Sequence, residues 1–147
     1  MSPKEYLLQI RRLEAKIRRI DAEIKWLRTE SVSLRSPWPD GQPHGYGKTD
    51  QVAEAAIRLA EKITEAERLH IEARARLFEK RTEIVDTIGR LEDPALCEIL
   101  SKRYVDGASW ERISAESGYS MRHTLRIHGE ALEKIKAFIP ENVQKCH

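Results

Sequence analysis

Apolar positions recur along most of this chain at helical spacing, and the first such run is the most regular. Tyr6, Ile10, Leu13, Ile17, Ile20, Ile24 and Leu27 follow one another at intervals of four and three. That alternation is the seam of a heptad repeat and predicts an amphipathic helix. With Ile10, Ile17 and Ile24 at one core position, Lys16, Asp21, Glu23 and Arg28 flank the seam. In a parallel pair, Lys16 would face Asp21 and Glu23 would face Arg28 of the partner. Ile10, Leu13, Ile17, Ile20, Ile24 and Leu27 are therefore candidate oligomerisation residues. The alternative is that the seam packs on the next helix of its own chain.

"SLRSPWPDGQPHGYGKTD" follows, too rich in proline and glycine for a helix or a central strand. It predicts a loop over 35–48, with Trp38 and Tyr46 as side chains able to pin it. Thr49 or Asp50 can cap a second helix, whose apolar positions run from Val52 through Leu59, Ile63 and Ala73 to Ile88 and Leu91. About forty residues at 1.5 Å each make a rod of roughly 60 Å. Arg81 falls on the seam, which predicts a stutter or a change of partner between Ala73 and Ile84. His70 reads as a histidine packed among aliphatic neighbours. The expected architecture for 1–92 is a long antiparallel, coiled-coil-like hairpin.

The remaining residues, 93–147, predict three shorter helices. Asp93 caps the first with Pro94 in its opening turn, and Leu96, Ile99, Leu100 and Tyr104 form its apolar face. Gly107 ends it, Ser109 caps the next, and Ser120 caps the last beyond Gly118. A corner this tight needs a residue at positive φ, which glycine supplies. It marks a helix-turn-helix, with Ile113, Tyr119, Thr124 and Ile127 expected inside. At about 100° per residue, Thr124, Ile127, His128, Ala131, Leu132, Ile135 and Phe138 share one face of the last helix. Arg122, His123 and Arg126 point the opposite way, near its N-terminal end, which is the end a recognition helix sets into the major groove. Ser120, Arg122, His123 and Arg126 are the candidate DNA-binding residues: arginine can bridge guanine O6 and N7, and Ser120 with nearby N–H groups suits a phosphate. Glu130 and Glu133 lie farther along that face and limit contact to the first two turns. Gly129 also faces outward.

Composition tempers this picture. Net charge is +2 over 147 residues, and 93–147 holds 8 Lys and Arg against 8 Asp and Glu, a difference of zero. One copy would bind phosphate modestly, so a second copy or a partner protein is expected. No apolar run is long enough to span a membrane, and no secretory leader is evident, which predicts a soluble, cytoplasmic protein. Cys97 and Cys146 share no metal-binding or disulfide spacing, and no catalytic or cofactor pattern is present. The chain reads as a non-enzyme without a metal or cofactor.

"LSKRYVDGASWERISAESGYSMRHTLRIHGEALEKI" resembles region four of bacterial sigma factors, where "W-x-x-I-A-x-x-L-G-x-S" precedes the recognition helix. Trp110, Ile113, Gly118 and Ser120 match; Ser114 and Ser117 stand where alanine and an aliphatic residue are usual. The layout as a whole resembles small phage and prophage proteins related to the RinA- and ArpU-type regulators of late genes. The resemblance implies transcriptional control in the cytoplasm of a bacterial host; on that reading the C-terminal module reads double-stranded DNA, and the helical rod makes a homodimer or meets RNA polymerase. Two other functions fit the pattern: a DNA-packaging assembly protein like a terminase small subunit, and a helical adaptor without DNA contact.

Overall fold

The computed structural model describes residues 1–35 and 46–141, and every regular element among them is helical. The Pro/Gly loop with Trp38, the Tyr46 side chain and Cys146 lie outside the described residues and side chains. In chain order the helices are α1 (Pro3–Leu7), α2 (Gln9–Arg35), α3 (Tyr46–Gly89), α4 (Pro94–Leu100), α5 (Trp110–Ser117) and α6 (Met121–Ile135). A π turn, Ser101–Val105, extends α4, and a short 3₁₀ turn, Lys136–Phe138, follows α6. Because α3 begins at Tyr46, Asp50 lies inside it and not at its start, and the Thr49 side chain is outside the described ones.

Contacts gather the chain into two units, one of residues 1–14 with 76–147 and one of residues 15–75. The pattern placed a boundary between 92 and 93, but burial draws both α1 and the end of α3 into the core built by α4, α5 and α6. Tyr6, Leu7 and Ile10 are fully buried there, as are Ile84, Leu100 and Ile135. The Tyr6 hydroxyl donates to Glu83 Oε1 at 2.9 Å and lies 3.1 Å from Thr87 Oγ1, and burial pushes its pKa up to about 12. Asp93 accepts from Ala95 N at 2.9 Å, Pro94 opens α4, and Gly107 at φ 73° closes the π turn.

In the unit of residues 15–75, Ile24 and Leu27 are buried against Ala66, with Ile20, Leu59 and Ile63 packed around them. Two residues of the N-terminal seam thus pack within the chain. Ile24 and Leu27 close on α3, Ile10 belongs to the other core, and Leu13, Ile17 and Ile20 are half-buried. The inward row of α3 changes partner, one of the two outcomes expected between Ala73 and Ile84: Ala66 belongs to the cluster of Ile24 and Leu27, and Ile84 and Ile88 belong to the other core. Leu59, Ile63, Ala66, His70, Ala73 and Leu77 keep the alternation of four and three, and Lys80, not Arg81, continues it to Ile84. There is no stutter. The Lys80 stem runs along the apolar row while its ammonium pairs with Glu83 at 2.9 Å. His70 has a polar neighbour that the pattern did not foresee: its Nε2 stands 2.8 Å from Asp21 Oδ1.

Among the described residues no helix is long and apolar enough to cross a membrane.

Candidate nucleic-acid interface

The corner between α5 and α6 is built from caps and short hydrogen bonds. Ser109 Oγ accepts from Arg112 N at 3.2 Å, starting α5. Gly118 ends it at φ 73°, its N–H donating to Ser114 O at 3.1 Å. A side chain at this φ would press its Cβ against its own backbone, so glycine is the residue that fits. Ser114 Oγ then donates to Tyr119 O at 2.5 Å, and Ser117 Oγ to Ile113 O at 2.8 Å. The two serines that depart from the sigma-like pattern thus make polar contacts within the corner. Ser120 Oγ accepts from His123 N at 3.2 Å and opens α6.

One face of α6 is core. Thr124, Ala131 and Ile135 are fully buried and Ile127 nearly so, while Leu132 and Phe138 pack at the edge. His128 is half-buried on the same side: its Nε2 is 2.8 Å from the Tyr104 hydroxyl, and its ring meets Trp110 edge-on at 4.7 Å. Burial, together with the charges of Lys4 and Arg103, pulls its pKa down to about 4. His128 is therefore a neutral structural histidine at pH 7.

The opposite face brings the candidate residues together within two turns. Arg122 and Arg126 are exposed, and neither makes an ion pair among the described residues. Arg126 Nη2 lies 3.2 Å from His123 Nδ1, so the guanidinium donates and the imidazole accepts. His123 is half-buried and packs edge-on against Tyr119, with ring centroids 4.7 Å apart. It acts on its neighbours: it braces Arg126 and leaves the outermost positions to the arginines. Ser120 spends its acceptor on the cap, and its hydroxyl proton remains for an acceptor outside the chain.

Tyr119 is the residue the pattern misplaced. Expected inside, it is 42 % exposed, with its ring turned edge-on to His123. It puts a phenol beside His123 at the edge of the arginine face. Met121 and Leu125 are also exposed on the outward side of α6, giving the face an apolar component beside its arginines. Gly129 is exposed, and a Cβ there would meet nothing within 4 Å.

Charge around the face is better balanced than the bare sequence implies. Glu130 pairs with Lys134 at 3.1 Å and Glu133 with Lys136 at 2.8 Å, so the acids beyond Gly129 are partly neutralised. On the α5 side, Lys102 bridges Glu98 at 2.7 Å and Glu116 at 3.3 Å, and Arg112 holds Glu116 at 2.8 Å. Arg112 first and Lys102 second hold the Glu116 carboxyl below its ordinary pKa. Cys97 is engaged too, its thiol donating toward the carbonyls of Ile88 and Leu91 at 3.3 Å. No protein-family model, curated protein or solved structure matches this chain.

Proposed function

We propose that this chain is a DNA-binding transcriptional regulator of the phage type. In this reading α5, the Gly118 corner and α6 form a helix-turn-helix, and α6 enters the major groove of double-stranded DNA by its first two turns. The long helices α2 and α3 serve assembly or contact with RNA polymerase. One observation carries the reading: Arg122 and Arg126 stand exposed, without an ion pair among the described residues, on the outer side of α6's first two turns, just past a corner held by Ser114 and Gly118. Arginine's planar fork matches the paired acceptors of guanine. Phosphate contacts would come from the Ser120 hydroxyl, the free N–H groups at the start of α6 and the Tyr119 phenol.

A helical adaptor without DNA contact is the competing reading, and the balanced charge of 93–147 favours it. Equilibrium titration of the full chain against labelled duplex DNA at several salt concentrations decides between them. The regulator binds duplex with an affinity that falls as salt rises, reflecting released counterions. An adaptor shows no saturable binding even at low salt.

A further inference from the structure

The outward side of α3 carries a second apolar row, away from the one that builds the core. Phe78 is 74 % exposed and Val85 44 %, large apolar surfaces on a helix otherwise rich in charge. Between them Thr82 is exposed, and its hydroxyl donates back to Phe78 O at 3.0 Å. With that proton satisfied on its own helix, Thr82 can offer its methyl group to a neighbour. The same spacing continues back along the helix through Ala75 and Ile71, the latter 68 % exposed. Ile71, Ala75, Phe78, Thr82 and Val85 therefore alternate by four and three, which is the seam of a two-stranded coiled coil.

The charges beside this row choose its occupant. Glu72, Glu79 and Asp86 line one flank, and Arg74 and Arg81 line the other. In a parallel, in-register pair of identical helices, each flank faces the opposite flank of the partner, five residues on. Arg74 then meets Glu79 of the second copy, and Arg81 meets Asp86. In an antiparallel pair each flank would face its own kind, arginine to arginine and carboxylate to carboxylate. Glu67 and Glu72, the one like-charged match in the parallel register, are already held by Arg28 and Arg68.

We propose that this face of α3 pairs in parallel with the same face of a second copy of the chain. The pairing uses neither Ile10, Ile24 nor Leu27, which are buried within the chain, and it stands independently of any contact with DNA.

Sedimentation equilibrium of the full chain tests it, with circular dichroism to confirm that each variant stays helical. The wild type should show a species of twice the 17.0 kDa chain mass. Phe78→Glu, at an exposed position, should raise the dimer dissociation constant about tenfold or more without loss of helicity. Arg81→Glu should weaken the dimer, and adding Asp86→Arg should restore it, because the swapped charges again face opposites in a parallel pair. A chain of 17.0 kDa at all concentrations overturns the proposal and leaves the face to another protein. A dimer indifferent to Phe78→Glu also overturns it. So does one that Arg81→Glu strengthens, since that is the antiparallel result.

Discussion

Ser114 Oγ donates a hydrogen bond to the main-chain oxygen of Tyr119, 2.5 Å away, across the corner between α5 and α6. Alanine, the residue usual at that position of the sigma-like pattern, has no group to make it. The bond fixes the carbonyl just before Ser120 and so helps set where α6 begins. Ser114→Ala should lower unfolding free energy by about 1 kcal/mol. Gly118→Ala should cost roughly 1–2 kcal/mol, the ordinary strain of an L-residue in the left-handed region. Urea unfolding of both variants checks the pair. Equal stability of Ser114→Ala and the wild type would mean that the corner does not depend on the latch.

His128 makes stability depend on pH. Its folded pKa is drawn down from 6.5 to about 4, first by burial and then by Lys4 and Arg103. Between those values the unfolded chain takes up a proton at His128 that the folded chain refuses, so stability falls as pH falls. The contribution is complete above about pH 6.5 and is lost progressively toward pH 4. His128→Gln keeps a polar partner for Tyr104 and removes the titration. Unfolding midpoints across this window should decline less steeply in the variant. Parallel declines would rule His128 out as the source.

The caps and the inward face of α6 were readable from the chain because they depend on neighbours a few residues away. Asp93 with Pro94, Ser109, Ser120 and the row from Thr124 to Ile135 are local patterns that need no knowledge of the partner element. Tyr6 and Ile10 show where such reading stops. Their spacing placed them on a helical seam correctly, but spacing names a face and not what covers it. They belong to the core with α4 and α6, so a fragment starting at residue 93 would lose Tyr6, Leu7, Ile10, Ile84 and Ile88 from that core. Lys80 and Arg81 were exchanged because hydrophobicity alone does not credit a lysine stem with burial. Tyr119 was misplaced because a position in the motif does not say whether the ring turns inward or, as here, against His123. At the candidate interface, the outward placement of Arg122 and Arg126 was legible from angle alone. The brace that His123 gives Arg126 was not, because it depends on how the two side chains turn.

Gly129 separates a stability cost from a functional use. Glycine within a helix destabilises it by about 0.5–1 kcal/mol relative to alanine. A Cβ at this position meets nothing within 4 Å inside the chain. Gly129→Ala should therefore raise thermal stability by that amount. If α6 lies close to the DNA backbone here, the same change should weaken binding to duplex. A more stable variant that binds equally well would place Gly129 outside the interface.

Arg122 and Arg126 carry the central claim, and selection of bound sequences from random duplexes tests it most directly. The wild-type chain should enrich a defined motif containing guanine. Arg126→Ala should weaken binding to that motif by about 1–3 kcal/mol while changing non-specific affinity much less. With Arg122→Ala added, the preference should relax further at the contacted positions. A double variant that selects the same motif with unchanged affinity would contradict the assignment of α6 as a recognition helix.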